Sequence, residues 1–155
     1  MQLILRRSLV FIALMVAGLV IYTQWFNIKA NQYDETVVPY LQSALPDLVS
    51  WQFESLQLLL SPSAKGDFEN EKMRDAYRSF KQLGEFRSMQ KPQYLGHASS
   101  SSAVLGEIEV IDYQVVVELD SGPATIKLKL FNDGKSYFIH HFSIQSDVFA
   151  STSGN

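Results

Sequence analysis

Five side chains in this sequence have chemistry to offer: His97, Asp112, Tyr113, His140 and His141. The adjacent histidines lie in Tyr137-Phe138-Ile139-His140-His141-Phe142-Ser143-Ile144, where Phe138, Phe142 and Ile144 fall in step on one face of a strand. Successive strand residues point to opposite faces, so the two rings cannot ligate one metal ion. His97 joins them only if the first strand pairs beside the last, and no carboxylate stands at a ligand spacing from any of the three. The expectation is one packed imidazole, one in water and no metal. Asp112-Tyr113 could supply a general base and an oxyanion donor, but as neighbours on a strand they also face opposite ways. We expect Tyr113 in the core, Asp112 in solvent and no catalytic residue.

The remaining chemistry is excluded by type. There is no cysteine, hence no disulfide, thiolate nucleophile, Cys-based zinc site or lipid-modified cysteine. No phosphate-binding glycine loop, serine nucleophile elbow or His-Glu zinc motif occurs, and no cofactor is implied. Glu107, Glu109, Glu118 and Asp120 alternate with apolar neighbours and read as a wet sheet face rather than a calcium loop. Ser99-Ser100-Ser101-Ser102 reads as a polar link. Trp51 reads as a core plug, with a surface anchor for a partner as the alternative.

The element that must carry any such residues begins after an apolar run. Residues 8–28 contain no charged side chain and follow Arg6-Arg7 directly. A helix of about 20 apolar residues crosses a hydrocarbon layer of about 30 Å, and Tyr22 and Trp25 stand where an interfacial belt would lie. The predicted anchor is built on Leu9, Val10, Phe11, Ile12, Leu14, Val16, Leu19, Val20, Ile21 and Trp25. The basic flank precedes it, so the expected topology is single-pass with the N-terminus cytoplasmic and the rest outside. The rival is a cleaved secretory signal; its apolar core is usually shorter, and Ile28-Lys29-Ala30 makes a poor small-x-small site.

Three stretches are expected: tip and anchor over 1–30, one domain over 31–149, and a fraying tail over 150–155. All 16 acids but only 10 of the 13 bases follow residue 30, a net charge of −6 that argues against nucleic acid. Helical spacing of Tyr33, Val37, Tyr40, Leu41, Ala44 and Leu45 predicts a helix running on from the anchor to about Leu45, kinked near Pro39. A second helix is predicted over 51–60, stopping before Pro62. A third is capped by Asp67, striped with Met73, Ala76, Tyr77, Phe80 and Leu83, and stopped by Gly84. From Phe86 on the chain reads as sheet. A first strand over 86–97 is confined by Pro92 to an edge or bulge. Strands centred on Val115-Val117-Leu119 and Ile126-Leu128-Leu130 follow, and the turn Asn132-Asp133-Gly134 leads to a last one. The fold class is α+β, with helices packed on a curved four-stranded antiparallel sheet.

Leu83-Gly84, Tyr113, Leu119-Asp120-Ser121-Gly122-Pro123-Ala124, Asn132-Asp133-Gly134, Tyr137-Phe138-Ile139 and Phe142-Ser143-Ile144-Gln145-Ser146 carry a resemblance. Over residues 51–147 the chain resembles small bacterial envelope domains of the NTF2-like/cystatin-like class, which are largely without assigned function. Where they usually have Trp before the final Ile, this chain has Tyr137-Phe138. The resemblance implies a cone-shaped sheet around its helices, and a domain facing the periplasm from the bacterial inner membrane. The expected function is a non-enzymatic interaction or scaffold module with a membrane or periplasmic protein partner. The alternative is a carrier or sensor of a small apolar ligand held in the cone.

Overall fold

The computed structural model describes the backbone of residues 2–102 and 106–152, and the side chains of residues 11–99 and 108–149. It divides into two compact units, one ending at Glu35 and one starting at Thr36. Helix α1, Gln2–Leu48, contributes to both and continues through Pro39 and Pro46. The expected end near Leu45 thus comes three residues later.

In the first unit α1 presents its apolar side chains outward. Phe11, Leu14, Met15, Leu19 and Ile21 are all more than 60% exposed, and Ile12, Val16, Val20 and Trp25 at least half. This helix is long and apolar enough to cross a membrane. The side chains of Leu9 and Val10 lie outside the described residues.

The second unit is α+β. After α1 come α2 (Phe53–Leu59), α3 (Pro62–Asp67), α4 (Glu71–Ser79) and a 3₁₀ turn (Phe80–Leu83). Five antiparallel strands follow: β1 (Phe86–Met89), β2 (Gln93–Ser102), β3 (Gly106–Leu119), β4 (Gly122–Asn132) and β5 (Tyr137–Ser146). A short helix α5, Asp147–Thr152, reaches into the stretch expected to fray.

The sheet has five strands rather than four because Pro92 divides the predicted first one. Both pieces pair with β3, β1 along its end (Phe86↔Leu119) and β2 along its start (Gln93↔Gln114 to Ser102↔Gly106). Proline has no N–H to donate, so the ladder breaks there and resumes. The four serines are therefore not a link: their backbone belongs to β2. The side chains of residues 100–102 lie outside the described residues.

Alternation places Ile111, Tyr113, Val115, Val117 and Leu119 of β3, and Ala124, Ile126, Leu128 and Leu130 of β4, on the buried face. Lys127 and Lys129 point to solvent. On β5 the register slips at His140: Lys129 pairs with His141, but Leu130 pairs with Ile139. A bulge shifts side-chain parity. Ile139, fully buried, joins Phe142 and Ile144 opposite the buried Leu130, Leu128 and Ile126, while Phe138 falls opposite Phe131, which corrects the expectation that Phe138 shares a face with Phe142 and Ile144.

Val37, Leu41, Ala44, Leu45 and Leu48 of α1 complete the core, buried to within 3%. The helix meets β5 where Thr36 and Tyr137 share a hydrogen bond of 2.7 Å and the Tyr40 and Tyr137 rings lie 5.6 Å apart. The Tyr40 hydroxyl, by contrast, is buried without a hydrogen-bond partner, and burial pushes its pKa up to about 12. A desolvated hydroxyl that makes no bond costs free energy, so Tyr40→Phe should raise unfolding stability by about 1 kcal/mol in urea melts.

A helix that was not expected, α3, precedes the predicted third one, which corresponds to α4 and the 3₁₀ turn. Ser61 caps α3, accepting from the Ala64 N–H at 3.3 Å, with Pro62 at the first helical position. Asn70, not Asp67, caps α4, accepting from the Lys72 N–H at 3.0 Å. Of the expected stripe, Tyr77 and Leu83 are buried and Phe80 is half-buried, while Met73 and Ala76, both within α4, are exposed. The Tyr77 hydroxyl donates 2.7 Å to the Leu48 carbonyl, satisfying one of the orphan acceptors at the end of α1. Trp51 is a core plug at 9% exposure: its indole donates 2.6 Å to the Gly84 carbonyl, and its ring lies by Tyr77 and Phe80. It holds a positive φ of 59°, in the short link between α1 and α2.

Candidate functional site

The helices cover one face of the sheet and leave the other to solvent. On that outer face side chains line up in rows across the strands. Asp112 of β3, Lys129 of β4 and His141 of β5 form one row. Gln93, Gln114, Lys127 and Ser143 form the next. Lys129 Nζ sits 3.1 Å from Asp112 Oδ1 and 3.3 Å from Oδ2, an exposed pair worth up to about 1 kcal/mol. Between the rows lies a hollow of about 300 Å³, lined by Leu95, Asp112, Lys127, Lys129, His141 and Ser143 with the chain at Tyr113 and Leu128 beneath. Leu95 stands at the register shift in β2 and is 47% exposed. Two ammonium groups against one carboxylate, beside an apolar wall, suit a small ligand with an apolar body and an anionic head.

The sequence-chosen residues divide around this hollow. Asp112 lines it and Tyr113 points the other way, fully buried, as expected from strand alternation. His141 lines it, whereas His140, the extra residue of the bulge, has its Nδ1 3.3 Å from the hydroxyls of Ser61 and Ser63 on the helical side. Both histidines are exposed, which corrects the expectation of one packed ring. His97 lies on β2, away from β5, with its Nδ1 2.7 Å from the Tyr94 hydroxyl. Among the described residues no three His, Asp or Glu side chains converge as a metal site. Leu95, Lys127, Lys129 and Ser143 were not singled out from sequence, because only pairing across four strands assembles them.

The acids expected on a wet face have separate fates. Glu118 is on the outer face opposite Pro123, and the Glu109 carboxylate accepts from the Asn132 amide at 3.3 Å. The side chain of Glu107 lies outside the described residues. Asp120 is not on the sheet face. It fastens the turn between β3 and β4 to the start of β1, accepting from the Glu85 N–H at 2.8 Å and the Arg87 Nε at 2.6 Å. Ser121 adds two bonds to the Leu83 carbonyl, 3.1 Å from its N–H and 2.9 Å from its hydroxyl. The Glu85 N–H and the Arg87 guanidinium hold the Asp120 carboxyl below its usual range. A carboxylate with a depressed folded-state pKa stabilises above its unfolded value and loses that contribution as pH falls through the folded one. Thermal melts between pH 5 and about pH 2 should therefore show a shallower acid-side decline for Asp120→Asn than for the unaltered protein. Asp133 behaves alike, its Oδ1 accepting 2.9 Å bonds from the Lys135 and Ser136 N–H groups that depress its pKa.

No family model, curated protein or solved structure matches this chain.

Proposed function

We propose that this chain is a membrane-anchored interaction or scaffold module without catalytic activity. Its domain would belong to the NTF2-like/cystatin-like class and face the periplasm from the bacterial inner membrane. The observation that carries the anchor is the exposed apolar surface of α1 over residues 11–28, far larger than the patches soluble monomers leave in water. Arg6 and Arg7 ahead of it support the orientation. Against catalysis stands the way the titratable candidates are engaged: Asp112 with Lys129, His97 with Tyr94, His140 with two serines, and Tyr113 buried. A tether concentrates such a domain beside membrane proteins, which are the expected partners.

The second reading, a carrier or sensor of a small apolar ligand, is favoured by the hollow beside Leu95. That hollow is on the outer face, not inside the cone where the resemblance puts a pocket. There Tyr113, Val115, Ile126 and Leu128 are packed to within 2%.

Fractionation with protease protection and crosslinking in the native membrane test the first reading. The expected result is an uncleaved membrane protein, accessible to external protease in spheroplasts, that captures a defined partner. Substituting Asp112, Tyr113, His140 or His141 should leave cellular function intact wherever the protein folds, and a released soluble domain should function less well. Full complementation by the soluble form at native abundance would overturn the tethered reading. Loss of capture on Leu95→Asp, with an apolar anion displacing it, would favour the carrier.

A further inference from the structure

The two edges of the sheet are treated differently. At the β5 edge the Ser61 N–H donates 2.9 Å to the Ile139 carbonyl, and Leu60 bridges to Ile139. The helical layer so covers the middle of that edge, and the bulge at His140 twists the strand beside it. Covering and bulging are the devices by which proteins keep a sheet from growing. The opposite edge consists of β1 and β2. Strand β1 is only four residues long, and Gln90, Lys91 and Pro92 follow it.

Strand β2 has no such guard beyond Leu95. From Gly96 to Ser102 it pairs with β3 in unbroken register and, among the described residues, with no other strand. Gly96-His97-Ala98-Ser99-Ser100-Ser101-Ser102 contains no Lys, Arg, Asp, Glu or Pro, and Ala98 and Ser99 are exposed. Pairing of β3 with β4 stops at Glu109↔Asn132, while pairing with β2 continues to Ser102↔Gly106. The end of β2 is thus one side of a two-stranded ribbon that extends past the rest of the sheet.

We propose that this edge joins two copies of the chain, β2 against β2 in antiparallel pairing about a two-fold axis. An antiparallel pair of identical strands is self-complementary, because residue i opposes j as j opposes i. In a domain of net charge −6 this uncharged strand brings two copies together without opposing like charges. One guarded edge and one open edge close the assembly at two, whereas two open edges would propagate a fibre. So short a pairing buries far less than the roughly 1,200 Å² of a stable interface, so it operates where anchors hold the copies in one bilayer. In this the proposal rests on the tethered reading above.

The absence of cysteine supplies the test, since an introduced thiol is the only one present. Full-length protein in phosphatidylcholine vesicles, carrying a single cysteine at Ala98, Ser99, Ser100, Ser101 or Ser102, or at Lys127 or Gln145 as controls, is oxidised with copper phenanthroline. Disulfides need Cα atoms within about 7 Å, so dimer yield should peak at one β2 position beside the axis, about tenfold above either control. Adding Ser99→Lys to the peak variant, or Ala98→Lys where the peak cysteine is at position 99, should abolish the crosslink while the thermal melt is unchanged. Equal yields at β2 and control positions, or none on β2 in folded protein, would overturn the proposal. Since only this chain is in the vesicle, that failure leaves the reading as a module for another protein standing. Soluble complementation in cells is what would overturn that reading.

Discussion

Gly84→Ala is expected to cost about 2 to 5 kcal/mol. Gly84 holds φ 82° and ψ −162°, a region essentially closed to residues with a Cβ. A Cβ there would also overlap the side chain of Asp120, whose carboxylate is already held by Glu85 and Arg87 and cannot swing aside without losing both bonds. Backbone strain and overpacking therefore add. Gly134 separates them: it has the same φ of 82°, yet nothing stands within 4 Å of its would-be Cβ. Gly134→Ala should cost only the left-handed penalty, about 1 to 2 kcal/mol. Urea melts of the two variants give both numbers, and equal losses would show that the Asp120 contact contributes nothing.

Leu128→Ala should cost about 2 to 5 kcal/mol, while Lys127→Ala next to it changes stability by no more than about 0.5 kcal/mol. Leu128 is 2% exposed, in the middle of the central strand pair, with Tyr113 opposite on β3 and Phe142 on β5. Truncation leaves a cavity that the flanking strands, each fixed by its own ladder, cannot collapse to fill. Lys127 faces water. Comparable losses at the two positions would mean that β4 is out by one residue, with its faces exchanged.

The alternation of Ile126, Leu128 and Leu130 with Lys127 and Lys129 was legible because a period of two is local and needs no knowledge of the neighbouring strand. The apolar run of α1 was legible for the same reason. The bulge at His140 was not, since a bulge exists only relative to a partner, and the parity of Phe138 was lost with it. Pro92 announced an interruption, but not that both fragments would dock on β3. The short α3 was missed because Pro62 reads as a stop rather than a first helical residue, and the start of α4 was misplaced because Asp67 and Asn70 are both good caps and position alone does not say which is used. The hollow drew Leu95, Asp112, Lys127 and His141 from four strands, and no spacing along the chain relates them.

The hydrogen bond between Thr36 and Tyr137 spans 101 residues. Within the second unit the core half of α1 is made first, and β5, the strand it meets, is the last strand made. The hairpin between β3 and β4 can form as soon as its own residues have emerged, since its turn closes locally. The buried stripe of α1 must wait for nearly the whole chain, because long-range contacts form only after their loop entropy has been met. Throughout that interval Val37, Leu41 and Leu45 are apolar surface without cover, the usual substrate of a holdase. Within the second unit the segment made earliest is therefore the last to be fully covered, and a chain stopped before β5 would leave part of it bare.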